Sequence, residues 1–203
     1  MKYPAIKSKR FTGSEPIIYN GNKVTDLLSF WQWAYSDLIG NTERGTLAEY
    51  IVACALGINN EDRISWGRYD LVTPKGVTIE VKTSGYLQTW EQQELSRIQF
   101  GISETLGWDN ITNKYDDKRR RQAQIYVFCV HNHKEQDTIN PLDVNQWDFY
   151  ILRADTLNGV TELKSQKTIS LSTLEKLKAQ KCEYNNLLTG IEKYTELLVC
   201  CAV

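Results

Sequence analysis

Residues 124–131, Gln-Ile-Tyr-Val-Phe-Cys-Val-His, constrain the fold of this chain more than any other segment. A short, nearly continuous apolar run of β-branched and aromatic side chains reads as a strand covered on both faces, which demands a central sheet with material packed on each side. The flanking sequence supplies both. Segments 64–72 and 77–83 are β-branched and flank Thr73-Pro74-Lys75-Gly76, a turn that joins them as an antiparallel pair. Ile98-Gln99-Phe100-Gly101-Ile102 alternates like another strand, and residues 147–153 form a further one. Helical spacing governs the regions on either side. Thr25-Asp26 caps a segment bearing Leu27, Leu28, Trp31, Ala34, Tyr35 and Leu38, after a mixed polar, turn-rich start. A second helix begins near Asn41-Thr42, places Leu47, Ala48, Ile51, Val52 and Ala55 on one face, and ends at Gly57. Helices return at 172–180 and 183–198. This order predicts an α/β fold, a mixed β-sheet flanked by helices.

At 203 residues the chain has the length of a single domain, with a core at about 41–153 and C-terminal helices at about 170–199. Lys and Arg total 24 against 25 Asp and Glu, a net charge of −1 that provides no bulk attraction to nucleic acid or anionic membrane. Resolved along the chain, the charge is segregated. Residues 112–134 carry six bases against two acids, whereas 135–162 carry six acids against one base. The near-zero total therefore excludes tight non-specific coating of DNA and leaves a localised site open. The five cysteines are odd in number and contain no C-x-x-C pair, as expected in a reducing compartment. The N-terminus has no apolar leader, and no stretch approaches the roughly 18 apolar residues of a membrane span. The expected location is cytoplasmic, and the terminal Cys-Cys-Ala-Val does not fit a prenylation signal.

The chemistry-bearing window is Tyr69-Asp70-Leu71-Val72, the turn, and Thr78-Ile79-Glu80-Val81-Lys82-Thr83-Ser84. Alternation puts Glu80 and Lys82 on one face of a strand and Ile79 and Val81 on the other. Asp70 lies on the partner strand, within an otherwise apolar run. Two carboxylates held near an ammonium suit a divalent cation, because like charges at close range otherwise force a proton onto one of them. Mg²⁺ takes carboxylate and carbonyl oxygens and keeps several waters, and a bound water beside a lysine is a nucleophile for phosphodiester hydrolysis. The bland reading is an exposed cross-strand ion pair between Asp70 and Lys82.

These residues resemble the PD-(D/E)xK nuclease superfamily, with its restriction-endonuclease-like fold. Asp70, nine intervening residues and Glu80-Val81-Lys82 follow a helix carrying Arg44-Gly45-Thr46-Leu47-Ala48-Glu49, in the order of that superfamily's core. The window from Arg44 to Trp90 is similar to stand-alone, poorly characterised bacterial members, although Tyr69 stands where their motif has proline. The resemblance implies that Asp70 and Glu80 are metal ligands with the Val81 carbonyl as a third, and that Lys82 orients or activates the attacking water. It implies Mg²⁺ as cofactor, with Mn²⁺ able to substitute, and DNA as partner. It matches Glu49 to a helix glutamate that helps hold metal or water, but about 100° per residue puts Glu49 roughly 140° from the apolar stripe, facing solvent. The implied activity is an Mg²⁺-dependent endodeoxyribonuclease, with restriction or defence as its setting. A homodimer suits cutting of both strands. The alternative is a nuclease-fold module that binds nucleic acid or a partner protein without cleaving it.

Further residues fit such a substrate. Lys118, Arg119, Arg120 and Arg121 form the densest basic run and are candidate phosphate contacts, with Lys2, Lys7, Lys9 and Arg10 as a second patch. Ser84 and Gln88, just after the acid-x-lysine strand, are candidates for bonding a phosphate or base edge. Tyr86 and Trp90 either stack on a base or pack beneath a loop. Cys129, His131 and His133 alternate at a strand end but lack a fourth ligand for zinc.

Overall fold

The computed structural model describes residues 3, 6, 8–60, 62–64, 67–109, 112–163 and 166–200, without the side chains of 162 and 195–200. Lys2, Lys7 and Cys201 lie outside the described residues, as does the side chain of Cys200. The chain divides into two compact units, Met1–Leu38 and Ile39–Val203. In the first, β1 (Pro16–Tyr19) and β2 (Asn22–Asp26) form an antiparallel hairpin whose turn, Asn20-Gly21, takes positive φ at both positions. Sequence patterning read this stretch as irregular. α1 (Leu27–Tyr35) follows, capped as expected by Asp26, whose carboxylate accepts from the Ser29 N–H.

In the second unit, α2 (Asn41–Ala55) precedes β3 (Leu71–Val72) and β4 (Thr78–Gly85). The pair is antiparallel, in register Leu71↔Ile79, and its turn closes through Gly76 N–H to Thr73 O. The first strand is far shorter than expected, since only two of its residues join the ladder. β5 (Gln99–Gly101), β6 (Trp108–Asp109) and β7 (Lys114–Tyr115) come next, then β8 (Ile125–His131), in which every residue is buried as the apolar run requires. β9 (Trp147–Arg153), α3 (Ala154–Gly159), β10 (Thr168–Ser170), α4 (Leu171–Lys176), β11 (Gln180–Cys182) and α5 (Leu187–Cys200) complete the unit. The expected helix at 172–180 is thus shortened, and its last residue, Gln180, opens β11, which pairs antiparallel with β9.

The central sheet runs β11-β9-β8-β4-β3, with β4 and β8 parallel and the other neighbours antiparallel. Alternation along β4, β8 and β9 builds two cores. Ile79, Val81, Ile125, Val127 and Phe149 pack against Ala48, Ile51 and Val52 of α2 and against Leu187 and Ile191 of α5. On the opposite face Tyr126, Phe128, Tyr150 and Leu152 meet Phe100, Leu157, Ile169 and Leu174. β5, the strand expected at 98–102, pairs with β10 in a small sheet whose Phe100 and Ile169 pack on this second face. The mixed sheet flanked by helices is as the sequence predicts. Among the described residues no helix is long and apolar enough to cross a membrane.

Candidate active site

The site lies where β3 leaves β4. Asp70 N–H donates to Ile79 O at 3.1 Å, after which the ladder stops, and the Asp70 carboxylate takes over by accepting the Val81 N–H at 2.7 Å. The side chain therefore occupies the place of the next ladder carbonyl, pinned to the strand that carries Glu80 and Lys82. Those two project on the face opposite Ile79 and Val81, as alternation predicts, and Lys82 Nζ donates to Glu80 Oε1. The ammonium is thus paired with Glu80, not with Asp70 as the cross-strand reading had it. Both side chains are partly shielded, at 19% exposure for Glu80 and 31% for Lys82. They form one wall of a cleft of about 200 Å³.

Electrostatics single out Asp70. Burial, then the negative charges of Glu80 and Glu49, push its carboxyl up from 3.8 to about 7, against the opposing pull of the Val81 N–H and of Lys82. Glu49 thus acts on Asp70 through its charge. Its side chain is 13% exposed rather than solvent-facing, because Arg63 covers it with a bidentate ion pair, one bond being Nη2 to Oε1 at 2.7 Å. Arg63 sits in the irregular segment between α2 and β3, and no local pattern marked it. Its charge is balanced by Glu49 on one side and attracted by Asp70 on the other.

Arg44, also from the helix motif, is buried and ties α2 to the end of β4. It donates to Ile39 O at 3.1 Å, to Leu87 O at 3.2 Å and to Gln88 Oε1 at 3.4 Å. Gly85 makes this approach possible, since a Cβ there would lie 2.8 Å from Arg44 Nη1. Gln88 is committed to this bracing, its amide donating to Gly85 O and Ser96 Oγ, and Ser84 Oγ accepts from the Gln99 N–H at 3.4 Å. Tyr86 packs against the second core beneath the Lys134 ammonium, while Trp90 is exposed.

The basic run divides. Lys118, Arg119 and Arg120 are exposed, whereas Arg121 is buried and unavailable to a phosphate. Its guanidinium donates to Ile102 O at 3.0 Å, Asn158 Oδ1 at 2.7 Å and Leu163 O at 2.8 Å, clamping the strand end after β5 to the segment after α3. Four adjacent cations in a row suggest solvent, and only the fold reveals that the last one turns inward.

Among the described residues no group of three or more His, Cys, Asp or Glu is arranged to hold a metal ion. A hard cation of the Mg²⁺ type needs fewer, commonly one or two carboxylates with waters and substrate phosphates. Asp70 and Glu80 offer two carboxylates of that kind, with the carbonyl of Val81 next to Glu80 in sequence. No curated protein and no solved structure matches the chain. A family profile described as Bacteriophage T4 endonuclease IV matches residues 22–173, from β2 through α4 and across every residue of the site. On that match, which spans well over half its length, the chain belongs to the bacteriophage T4 endonuclease IV family.

Proposed function

We propose that the protein is a Mg²⁺-dependent endodeoxyribonuclease of the PD-(D/E)xK kind, acting at the edge of β4 with Asp70, Glu80 and Lys82. The observation that carries this reading is the placement of Asp70, whose carboxylate is pinned by the Val81 N–H to the strand that carries Glu80 and Lys82. A carboxylate pinned by one N–H, half removed from water and flanked by two further carboxylates is destabilised as an anion, and a cation relieves that cost. The family's endonuclease character supplies the substrate class, DNA.

In this reading Asp70, Glu80 and the Val81 carbonyl hold the metal. When bound, Mg²⁺ offsets charge on the phosphoryl oxygens and lowers the pKa of water. Lys82, resting on Glu80 in this structure, turns to the attacking water once Glu80 is engaged, and orients it in line with the scissile P–O bond. Glu49 is held by Arg63 beside the site, where the pair is neutral overall and positions the Glu49 carboxylate near Asp70. Lys118, Arg119 and Arg120 contact flanking phosphates. A role in restriction or defence accords with this activity.

The test is cleavage of plasmid, linear and single-stranded DNA by the purified protein with Mg²⁺, Mn²⁺ or chelator, alongside Lys82→Ala. Metal-dependent cutting that falls by about 10²- to 10⁴-fold in the variant is expected. Absence of cutting on every substrate in either metal overturns the reading and leaves a binding module.

A further inference from the structure

Two carboxylates at the site already carry cations of the chain's own. Lys82 rests on Glu80, and the Arg63 guanidinium spans both oxygens of Glu49, Nε donating to Oε2 and Nη2 to Oε1 at 2.7 Å. The two pairs differ in origin. Glu80 and Lys82 are neighbours on one face of β4, whereas Arg63 reaches Glu49 from the irregular segment that leads into β3.

The frame of α2 sets Glu49 at the site. Arg44 lies against Gly85, and a Cβ on Gly45 would sit 3.8 Å from Thr83 Cγ2, while Ala48, Ile51 and Val52 pack with Val81 and Ile79. The helix therefore runs antiparallel along β4. One helical turn beyond Gly45, about 6 Å, is Glu49, and the same distance back along the strand from Thr83 is about two residues, at Val81. Glu49 thus stands level with the N–H that pins Asp70. Its charge and that of Arg63 both act on the Asp70 carboxylate. Even so, Glu49, Asp70 and Glu80 are not drawn into one ligand group, and Glu49 is turned to the guanidinium.

A guanidinium fork matches a carboxylate edge to edge and engages both of its oxygens. A hard divalent ion wants those same oxygens in its own shell. Glu49 cannot serve both at full strength. From this arrangement we infer that Arg63 is the built-in counter-cation of the site: it holds Glu49 out of the divalent ion's shell until the ion binds, and once released it turns to the phosphodiester. Arg63 therefore competes with the metal and afterwards serves the substrate, so that metal and DNA reinforce each other's binding. Its side chain is 42% exposed, within reach of a backbone passing over the site. This exchange rests on the metal-dependent reading of the site given above.

The experiment reads binding without turnover. Mn²⁺ is titrated by calorimetry into the DNA-free protein, unmodified and as Arg63→Ala, Arg63→Lys, Glu49→Gln and the Glu49→Gln, Arg63→Ala pair. Arg63→Ala is expected to bind Mn²⁺ about three- to tenfold more tightly, because more of the chains have Glu49 ready. Arg63→Lys keeps the charge and loses the fork, and is expected to show an intermediate gain. In the Glu49→Gln background the gain from Arg63→Ala falls below about twofold. DNA binding is followed by fluorescence anisotropy in the slow Lys82→Ala background, where Arg63→Ala lowers affinity about three- to tenfold in Mn²⁺ and less than about twofold in chelator. Cooperative melting in chelator shows that each variant folds. Mn²⁺ affinity that is unchanged or weaker in Arg63→Ala, that is unmoved by Arg63→Lys, or that gains as much without Glu49, overturns the exchange and leaves the metal-dependent reading in place. DNA affinity indifferent to Arg63→Ala in Mn²⁺ overturns the turn to the phosphodiester. Mn²⁺ that binds none of these proteins overturns the metal-dependent reading and the exchange together.

Discussion

Replacing Asp70 by Asn should make the metal-free protein more stable at neutral and alkaline pH while abolishing cleavage. The Asn carbonyl can still accept the Val81 N–H, so the bond that pins residue 70 to β4 is retained and only the charge is lost. The shift from 3.8 to about 7 is roughly three units at about 1.4 kcal/mol each, a ceiling of about 4 kcal/mol against folding once Asp70 is ionised. Solvent access and relaxation reduce this to about 1–3 kcal/mol. The sign follows from linkage. The folded chain keeps its proton at Asp70 to higher pH than the unfolded chain does, so stability falls as pH rises from about 4 to about 7 and is level above that. Asp70→Asn removes this component. Its advantage should therefore be close to nil at pH 4, grow through the window, and reach its plateau above pH 7.

The assay is thermal or urea unfolding in chelator from pH 4 to 9, repeated with Mg²⁺. At this chain length about 1 kcal/mol moves the melting temperature by about 2–4 °C, so a gain of several degrees at pH 8 is measurable. Mg²⁺ should raise the melting temperature of the unmodified protein and not that of the variant, because the metal binds only where the carboxylate is present. A variant that melts below the unmodified protein at pH 8 in chelator refutes the reasoning. It would mean that the charged hydrogen bond to Val81 outweighs the repulsion from Glu80 and Glu49, making Asp70 a structural staple.

Two other perturbations separate structure from chemistry. Arg121→Ala strips two buried carbonyls, Ile102 O and Leu163 O, and the Asn158 amide oxygen of their donor and should cost about 2–4 kcal/mol in urea unfolding, whereas Arg120→Ala, on the exposed side of the run, should change stability by less than about 0.5 kcal/mol and weaken DNA binding instead. His131 is buried against Trp147, and burial followed by the charge of Arg44 lowers its pKa to about 4. It folds neutral while the unfolded chain protonates near 6.5, so its contribution is complete above pH 6.5 and is lost as pH falls toward 4. That slope opposes the Asp70 slope in the same window. His131→Gln should flatten the acid limb of a stability profile measured in the Asp70→Asn background, and an unchanged limb would contradict the assignment.

Periodicity made the middle of the fold legible because β8, β4 and β9 are buried enough for their own side chains to dictate their state. The failures have local physical causes. Asn20-Gly21 is a strong hairpin signal, but its flanking strands carry exposed apolar residues, Ile17, Ile18, Tyr19 and Val24, without the alternation that marks a half-buried pair. Segment 64–72 looks like a strand by composition, yet Asp70 ends the ladder by substituting its carboxylate for a backbone acceptor, an event no propensity encodes. In 172–180 the helix stops at Lys176, and positive φ at Lys178 turns the chain toward β9. A lysine gives no warning of a left-handed residue.

The site was legible where it is strand-borne and illegible where it depends on long-range partners. Asp70, Glu80 and Lys82 follow from alternation and a hairpin, two local rules. Glu49 does not, because amphipathicity measures distance from the apolar stripe and is blind to an arginine 14 residues away that covers the polar flank. Arg121 fails for the converse reason. A basic run is read as one object, but after the backbone bridge at Arg120 the chain enters the core, and the five donors of the Arg121 guanidinium reach two buried carbonyls there and the Asn158 amide at its margin. The same geometry accounts for a nuclease with a net charge of −1. Of its four adjacent cations one is spent on holding the cleft wall, so under the proposed function that run attracts DNA through its three exposed members, together with a metal at the two carboxylates. Binding should therefore show a shallow salt dependence, equivalent to about three phosphate contacts, and a steep dependence on divalent cation. A slope of six or more phosphates in chelator would show that a wider basic surface, not the metal site, recruits the substrate.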